Sequence, residues 1–173
     1  VVDAASGVSG AGRPAKPTTT FCAVDEDFTA YGVLDHRHTP EIEQNLTACG
    51  AGEVTVSFTP TLAPMSRGIL ATCTARLAPG ADPAAVRGAW HAAYEGEAFV
   101  HLLPVGQWPS TAAVLGSNNV HVQVTVDERA GRVVSVAAVD NLTKGTAGAA
   151  VQCLNLALGL PEVCGLPVAA VAP

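Results

Sequence analysis

His36 and His38 stand two residues apart in the stretch Leu34-Asp35-His36-Arg37-His38-Thr39-Pro40-Glu41-Ile42. In an extended segment residues i and i+2 point to one face, so both imidazoles would project together and Arg37 away from them. Thr39 suits an N-cap, Pro40 the first helical position, and Glu41 and Glu43 the positive end of the helix dipole. The pair thus occupies a strand-to-helix junction, and imidazoles titrate near neutral pH, which suits proton transfer. Three readings are open: acid–base work, a pair of metal ligands, or two structural histidines. A metal needs a third ligand; of Glu41, His91, His101 and His121, only Glu41 is local. Glu41 could instead orient one imidazole, or serve the helix dipole alone.

Three further stretches carry weaker signals. Ser6-Gly7-Val8-Ser9-Gly10-Ala11-Gly12-Arg13 is a Gly/Ser loop whose backbone N–H groups could approach an anion, with Arg13 beside it. In Pro64-Met65-Ser66-Arg67-Gly68 an arginine enters a strand from a turn. It could clamp a carboxylate or phosphate, or stand exposed. Asp140-Asn141-Leu142-Thr143-Lys144-Gly145-Thr146-Ala147-Gly148 runs from a strand end into a helix with a small first turn. Free N–H groups there, with Lys144, could hold a phosphate or lie against a cofactor; the small residues could equally serve close helix–sheet packing.

The chain has 173 residues, enough for one domain, with 49% hydrophobic and only 14% charged residues. So little charge points to large internal or interface surfaces. A net charge of -6 and the absence of any basic run argue against a nucleic-acid partner. No apolar run approaches the ~18–20 residues that span a bilayer, so no membrane partner is expected. The five cysteines (Cys22, Cys49, Cys73, Cys153, Cys164) are odd in number and show no CxxC spacing. They read as reduced thiols in a cytoplasmic protein. Asp25, Glu26 and Asp27 follow Cys22 and disfavour its thiolate. The only methionine is Met65 and no basic segment precedes residues 1–6, so the expectation is a chain that begins inside something larger or has been processed.

Alternation and turn residues set the expected elements. Residues 1–5 read as a strand, 30–38 as extended, 39 to about 48 as a helix, and 54–58 and 68–77 as strands, with a two-proline turn at 59–64. Asp82-Pro83 opens a helix to about 95. Residues 99–103 are short and extended, 104–119 mostly loop, and 120–126 and 132–139 form a hairpin. A helix from 144 to about 158 ends at Gly159. Hairpins outnumber βα units, so the fold class is α+β: a mixed, largely antiparallel sheet with helices on one face. The strands carry too few polar residues for the other face to meet water, and a partner subunit is its expected cover.

Taken in order, these stretches resemble N-acetyl-gamma-glutamyl-phosphate reductase, a relative of aspartate-semialdehyde dehydrogenase. The matching segments are 6–13, 36–42, Phe58-Thr59-Pro60, 64–72, 140–148 and Gly159-Leu160-Pro161-Glu162. The resemblance implies NADP-dependent reduction of N-acetylglutamyl 5-phosphate to the semialdehyde with phosphate release, in arginine biosynthesis. It covers the C-terminal, glyceraldehyde-3-phosphate dehydrogenase-like substrate and dimerisation domain, residues 1–173. The N-terminal Rossmann domain and the family's Asn-Pro-Gly-Cys-type nucleophile have no counterpart here. The resemblance therefore implies an isolated chain without activity, working as a homodimer or homotetramer with that domain, which holds most of the NADP. It assigns His36, His38 and Glu41 to catalysis; Ser6, Ser9, Gly10, Arg13 and Arg67 to the substrate; Asn141, Lys144 and Gly145 to the cofactor border; and no residue to a metal. Ala5 stands where the family often has Lys. Two rivals remain: a stand-alone dimerisation or ligand-binding module without catalysis, and a metal-dependent hydrolase using His36 and His38.

Overall fold

The computed structural model describes residues 1–171. Seven strands form one sheet: β1 (Val2–Ser6), β2 (Thr29–Ala30), β3 (Phe58–Leu62), β4 (Ile69–Arg76), β5 (Val100–Leu102), β6 (Val120–Asp127) and β7 (Arg132–Val139), in the order β2-β3-β1-β4-β7-β6-β5. β1 runs parallel to β3 and β5 parallel to β6; every other neighbour is antiparallel. Among the described residues four α-helices accompany them: α1 (Phe21–Val24), α2 (Thr39–Leu46), α3 (Pro83–Tyr94) and, after the last strand, α4 (Gly148–Ala157). The expected α+β class, with its mixed and mainly antiparallel sheet, is the fold observed.

Local chemistry explains most boundaries. Asp82 caps α3 by accepting the Ala84 N–H at 3.0 Å, with Pro83 in the first helical position. Gly131 takes a φ of 61° in the β6–β7 turn, and Gly159 takes 67° just past α4. α3 packs on β5 and β6. The core is small: Phe99, Val114, Val122, Val124, Ala138 and Ala63 are its buried apolar residues.

Four expectations need correction. The strand foreseen at 54–58 begins only at Phe58 and runs through Pro60. Pro60 is tolerated because its C=O turns toward β2, accepting the Tyr31 N–H at 3.0 Å, so its missing N–H is not needed by the β1 ladder. Residues 31–38 are turns rather than a strand, with Gly32 at φ 56° and Leu34 at φ 72°. α2 takes His38 at its N-cap, so Thr39 opens the helix instead of capping it. The last helix starts as a wide turn over Thr143–Ala147 before α4 proper.

Two apolar surfaces meet solvent. The central strands β4 and β7 are flanked on both sides, yet Thr72, Thr74, Val134 and Val136, which share one face, stay only half-buried. On α4 and its C-cap, Val151, Leu154 and Leu158 follow one stripe and are exposed.

Candidate active site

The first wall of the site is the β1–β3 half of the sheet. β1 and β3 are parallel with Ala4 opposite Pro60 and Ser6 opposite Leu62, and these residues, with Ile69, floor a cleft of about 520 Å³. The junction before α2 overhangs it with His36, Arg37 and His38; Lys16, Thr18 and Thr19 come from the loop after β1, and Asn141, Gly145 and Thr146 from the strand-to-helix turn after β7.

The imidazoles do come together, as their spacing suggests, but on a turn at 31–38 rather than an extended strand. Their centroids lie 5.0 Å apart, edge to face. His36 also packs edge-on against Phe58 at 5.1 Å and Tyr31 at 5.6 Å. Gly32 makes room for it, since a Cβ there would lie 3.2 Å from His36 Cδ2. The backbone N–H of His38 donates to His36 Nδ1 at 3.3 Å. A nitrogen that accepts carries no proton, so neutral His36 presents Nε2–H. Burial lowers the His36 pKa, as do His38 and Arg37 nearby, against an opposing pull from Asp35. Among the described residues the His38 ring makes no hydrogen bond, which leaves both its nitrogens available. Arg37, expected to point away, lines the cleft too, because the chain turns between the histidines instead of extending.

Glu41 stands exposed on the first turn of α2, outside the cleft lining, and bonds to neither imidazole among the described residues. Its neighbour Glu43 is the structural one, accepting the Val56 N–H at 2.8 Å. No group of three or more His, Cys, Asp or Glu side chains gathers at metal-binding distance among the described residues.

The N–H cradle expected of the Gly/Ser loop is not formed. Gly7, Val8 and Ser9 donate instead to the carbonyls of Gly68, Met65 and Ser66, and Gly10 and Gly12 to Gly7 and Ser9. Gly7 is required for that docking, since a Cβ would fall 2.7 Å from the Arg67 backbone N. Of the residues proposed for substrate, Ser6 and Gly10 line the cleft; Ser9, Arg13 and Arg67 do not. Ser9 Oγ accepts from Asn141 Nδ2 at 2.9 Å, and Asn141 Oδ1 accepts the Gly68 N–H at 2.7 Å. Arg67 Nη2 is held by Asp140 at 2.9 Å and by Thr143 Oγ1 at 3.1 Å.

Asp140 is fully buried and binds the Gly116, Leu142 and Thr143 N–H groups as well as Arg67. Burial pushes its pKa up, but those donors outweigh burial and bring it down to about 2. This carboxylate pins the turn that carries Asn141, Gly145 and Thr146 onto the cleft. Lys144 faces elsewhere: its Nζ donates to Gln152 Oε1 at 2.7 Å and lies 5.5 Å from the Phe99 ring centroid. Sequence reasoning missed Lys16, Arg37 and Tyr31 as cleft residues. The available signal was that Lys16 is one of only two lysines and follows the Gly/Ser loop.

A model of the family described as semialdehyde dehydrogenase, dimerisation domain, matches residues 1–141. The chain belongs to that family. Two curated relatives are an N-acetyl-gamma-glutamyl-phosphate reductase of Micrococcus luteus, 63% identical over all of this chain and 50% of its own length, and one of Saccharopolyspora erythraea, 62% identical over all of this chain and 51% of its length. The semialdehyde dehydrogenase dimerisation domain seen here thus spans about half the length of those relatives. Among solved structures, aspartate semialdehyde dehydrogenase II from Vibrio cholerae matches with a TM-score of 0.70 at 17% identity, over 91% of this chain and 54% of that one. A probable aspartate-semialdehyde dehydrogenase from Pseudomonas aeruginosa gives 0.67 at 19%, over 91% of this chain and 54% of its own. At such identities the likeness concerns the fold. Among the described residues no helix is long and apolar enough to cross a membrane.

Proposed function

We propose that this chain is the C-terminal substrate and dimerisation half of an NADP-dependent reductase that converts N-acetylglutamyl 5-phosphate to the semialdehyde and releases phosphate, in arginine biosynthesis. The observation that carries this reading is the His36–His38 pair, edge to face at 5.0 Å over a cleft. The names of the relatives supply the substrate. A thiol on the other half of the protein is the nucleophile toward the acyl phosphate. His38, with its ring free, takes the thiol proton. His36, neutral and presenting Nε2–H, donates to the substrate oxygen as charge develops there. Glu41 acts on the helix dipole, at one remove from the proton path.

The residues proposed for the cofactor border offer one wall and no more. Gly145 and Thr146 give the cleft an edge where Gly145 presents bare backbone, which fits a flat ring lying close. Asn141 holds that edge in register, and Lys144, turned toward Gln152, supports the turn from behind. NADPH supplies hydride when bound, and its phosphates are held by the Rossmann half. The α4 stripe is covered by that half, and the half-buried face of β4 and β7 by a second copy. Five free thiols, four of them exposed, fit a reducing cytoplasm.

The test is NADPH consumption with the acyl phosphate. Full-length protein should turn over, and residues 1–173 alone should not. Full-length protein inert toward the acyl phosphate would leave the reading of a binding module without catalysis.

A further inference from the structure

The cleft is lined by four basic side chains, Lys16, His36, Arg37 and His38, and by no aspartate or glutamate. That stands out in a chain of net charge -6 with 15 acidic residues. Lys16 and Arg37 come from separate loops and have no carboxylate partner among the described residues, since the ion pairs found involve Arg67, His91 and Arg129. Unpaired cations that face one cavity, with acids kept out of it, favour an anionic guest. We infer that Arg37 and Lys16 form a two-point clamp for a substrate with an anion at each end, Arg37 taking the phosphate and Lys16 the distal carboxylate.

The assignment follows from position, and it rests on the reductase reading above. Arg37 lies between the two histidines in sequence, so its guanidinium serves the end where protons move. Its planar fork matches two phosphate oxygens at once. Lys16 shares its wall with Thr18, where a compact ammonium and one hydroxyl suit a carboxylate; the neighbouring Thr19 hydroxyl is already turned to the Lys16 carbonyl at 3.3 Å. Burial, His38 and then Arg37 disfavour a proton on His36, with Asp35 pulling the other way. A phosphate drawn to Arg37 offsets the Arg37 share and moves the His36 pKa up.

Full-length protein with Arg37→Gln, Arg37→Lys, Lys16→Gln or Lys16→Arg tests the clamp. Both wild-type side chains are exposed, without side-chain hydrogen bonds among the described residues. Each Gln variant should raise KM for the acyl phosphate by about ten- to hundredfold, more than it lowers kcat. Charge-keeping variants should recover much of the loss. Inhibition by inorganic phosphate should weaken in Arg37→Gln and persist in Lys16→Gln. In wild type, phosphate should move the His36 ring resonances and raise the pKa they report, and should do neither in Arg37→Gln. Active protein whose KM and phosphate inhibition are unchanged in both Gln variants overturns the clamp and leaves the reductase reading standing. Protein inert toward the acyl phosphate, yet losing phosphate-dependent His36 shifts in Arg37→Gln, sinks the reductase reading and keeps the anion site at Arg37.

Discussion

His36 Nδ1 accepts the backbone N–H of His38 at 3.3 Å, so the second histidine sets the tautomer of the first. The two imidazoles are therefore unequal: one is fixed as an Nε2–H donor and packed against Phe58 and Tyr31, the other is free.

That inequality has a pH signature. The His36 pKa is lowered from 6.5, chiefly by burial, and so is that of His121, by burial and then by His101. The unfolded chain then binds more protons than the folded one in the region below about 6.5. Stability is complete above that pH and falls as acid is added. Urea midpoints should drop between pH 8 and pH 5, and His36→Gln should flatten part of that slope. A midpoint that rises on acidification contradicts the pKa directions.

Asp140 governs a second, more acidic window. Its carboxyl falls from 3.8 to about 2, because its hydrogen bonds overcome burial. Its stabilisation is intact above 3.8 and is lost as pH falls through about 2. Asp140→Asn replaces one acceptor oxygen with a donor and leaves Arg67 without its ion pair. The cost should be about 3 kcal/mol, the low end for breaking a buried pair, since about a third of the Arg67 side chain still meets water, 35% by area. Chemical denaturation measures it, and a loss under about 0.5 kcal/mol would mean that the Asp140 bonds add little to stability.

Oligomerisation is tested on the sheet. Val136 stands opposite Thr72 at the centre of the sheet and is only half-buried. Val136→Lys puts a charge where a second copy should seat, and it should turn a dimer into a folded monomer by sedimentation. A dimer that persists at the wild-type concentration dependence places the interface elsewhere.

Much of this architecture was readable in the amino acids. Asp82-Pro83 and Gly159 mark helix ends through capping chemistry that acts locally, and the β6–β7 hairpin follows from alternation around Gly131. Pro60 misled because its acceptability depends on a two-residue edge strand thirty positions earlier, a non-local fact. The cleft was half legible. The His36–His38 pair announces itself by type and spacing, whereas its geometry depends on positive-φ turns at Gly32 and Leu34. Arg67 and Ser9 resemble ligand residues in isolation, yet Asp140 and Asn141, more than 70 residues away, engage them. Arg37 was hidden by the assumption of an extended strand, which sends alternate side chains apart.

The most direct measurement is kcat for the full-length protein with His36→Asn and with His38→Asn, under saturating acyl phosphate and NADPH. Turnover should fall by about 10²-fold or more in each, the scale of lost general acid–base catalysis. Wild-type turnover in both variants would remove the pair from the chemistry and return it to structural duty.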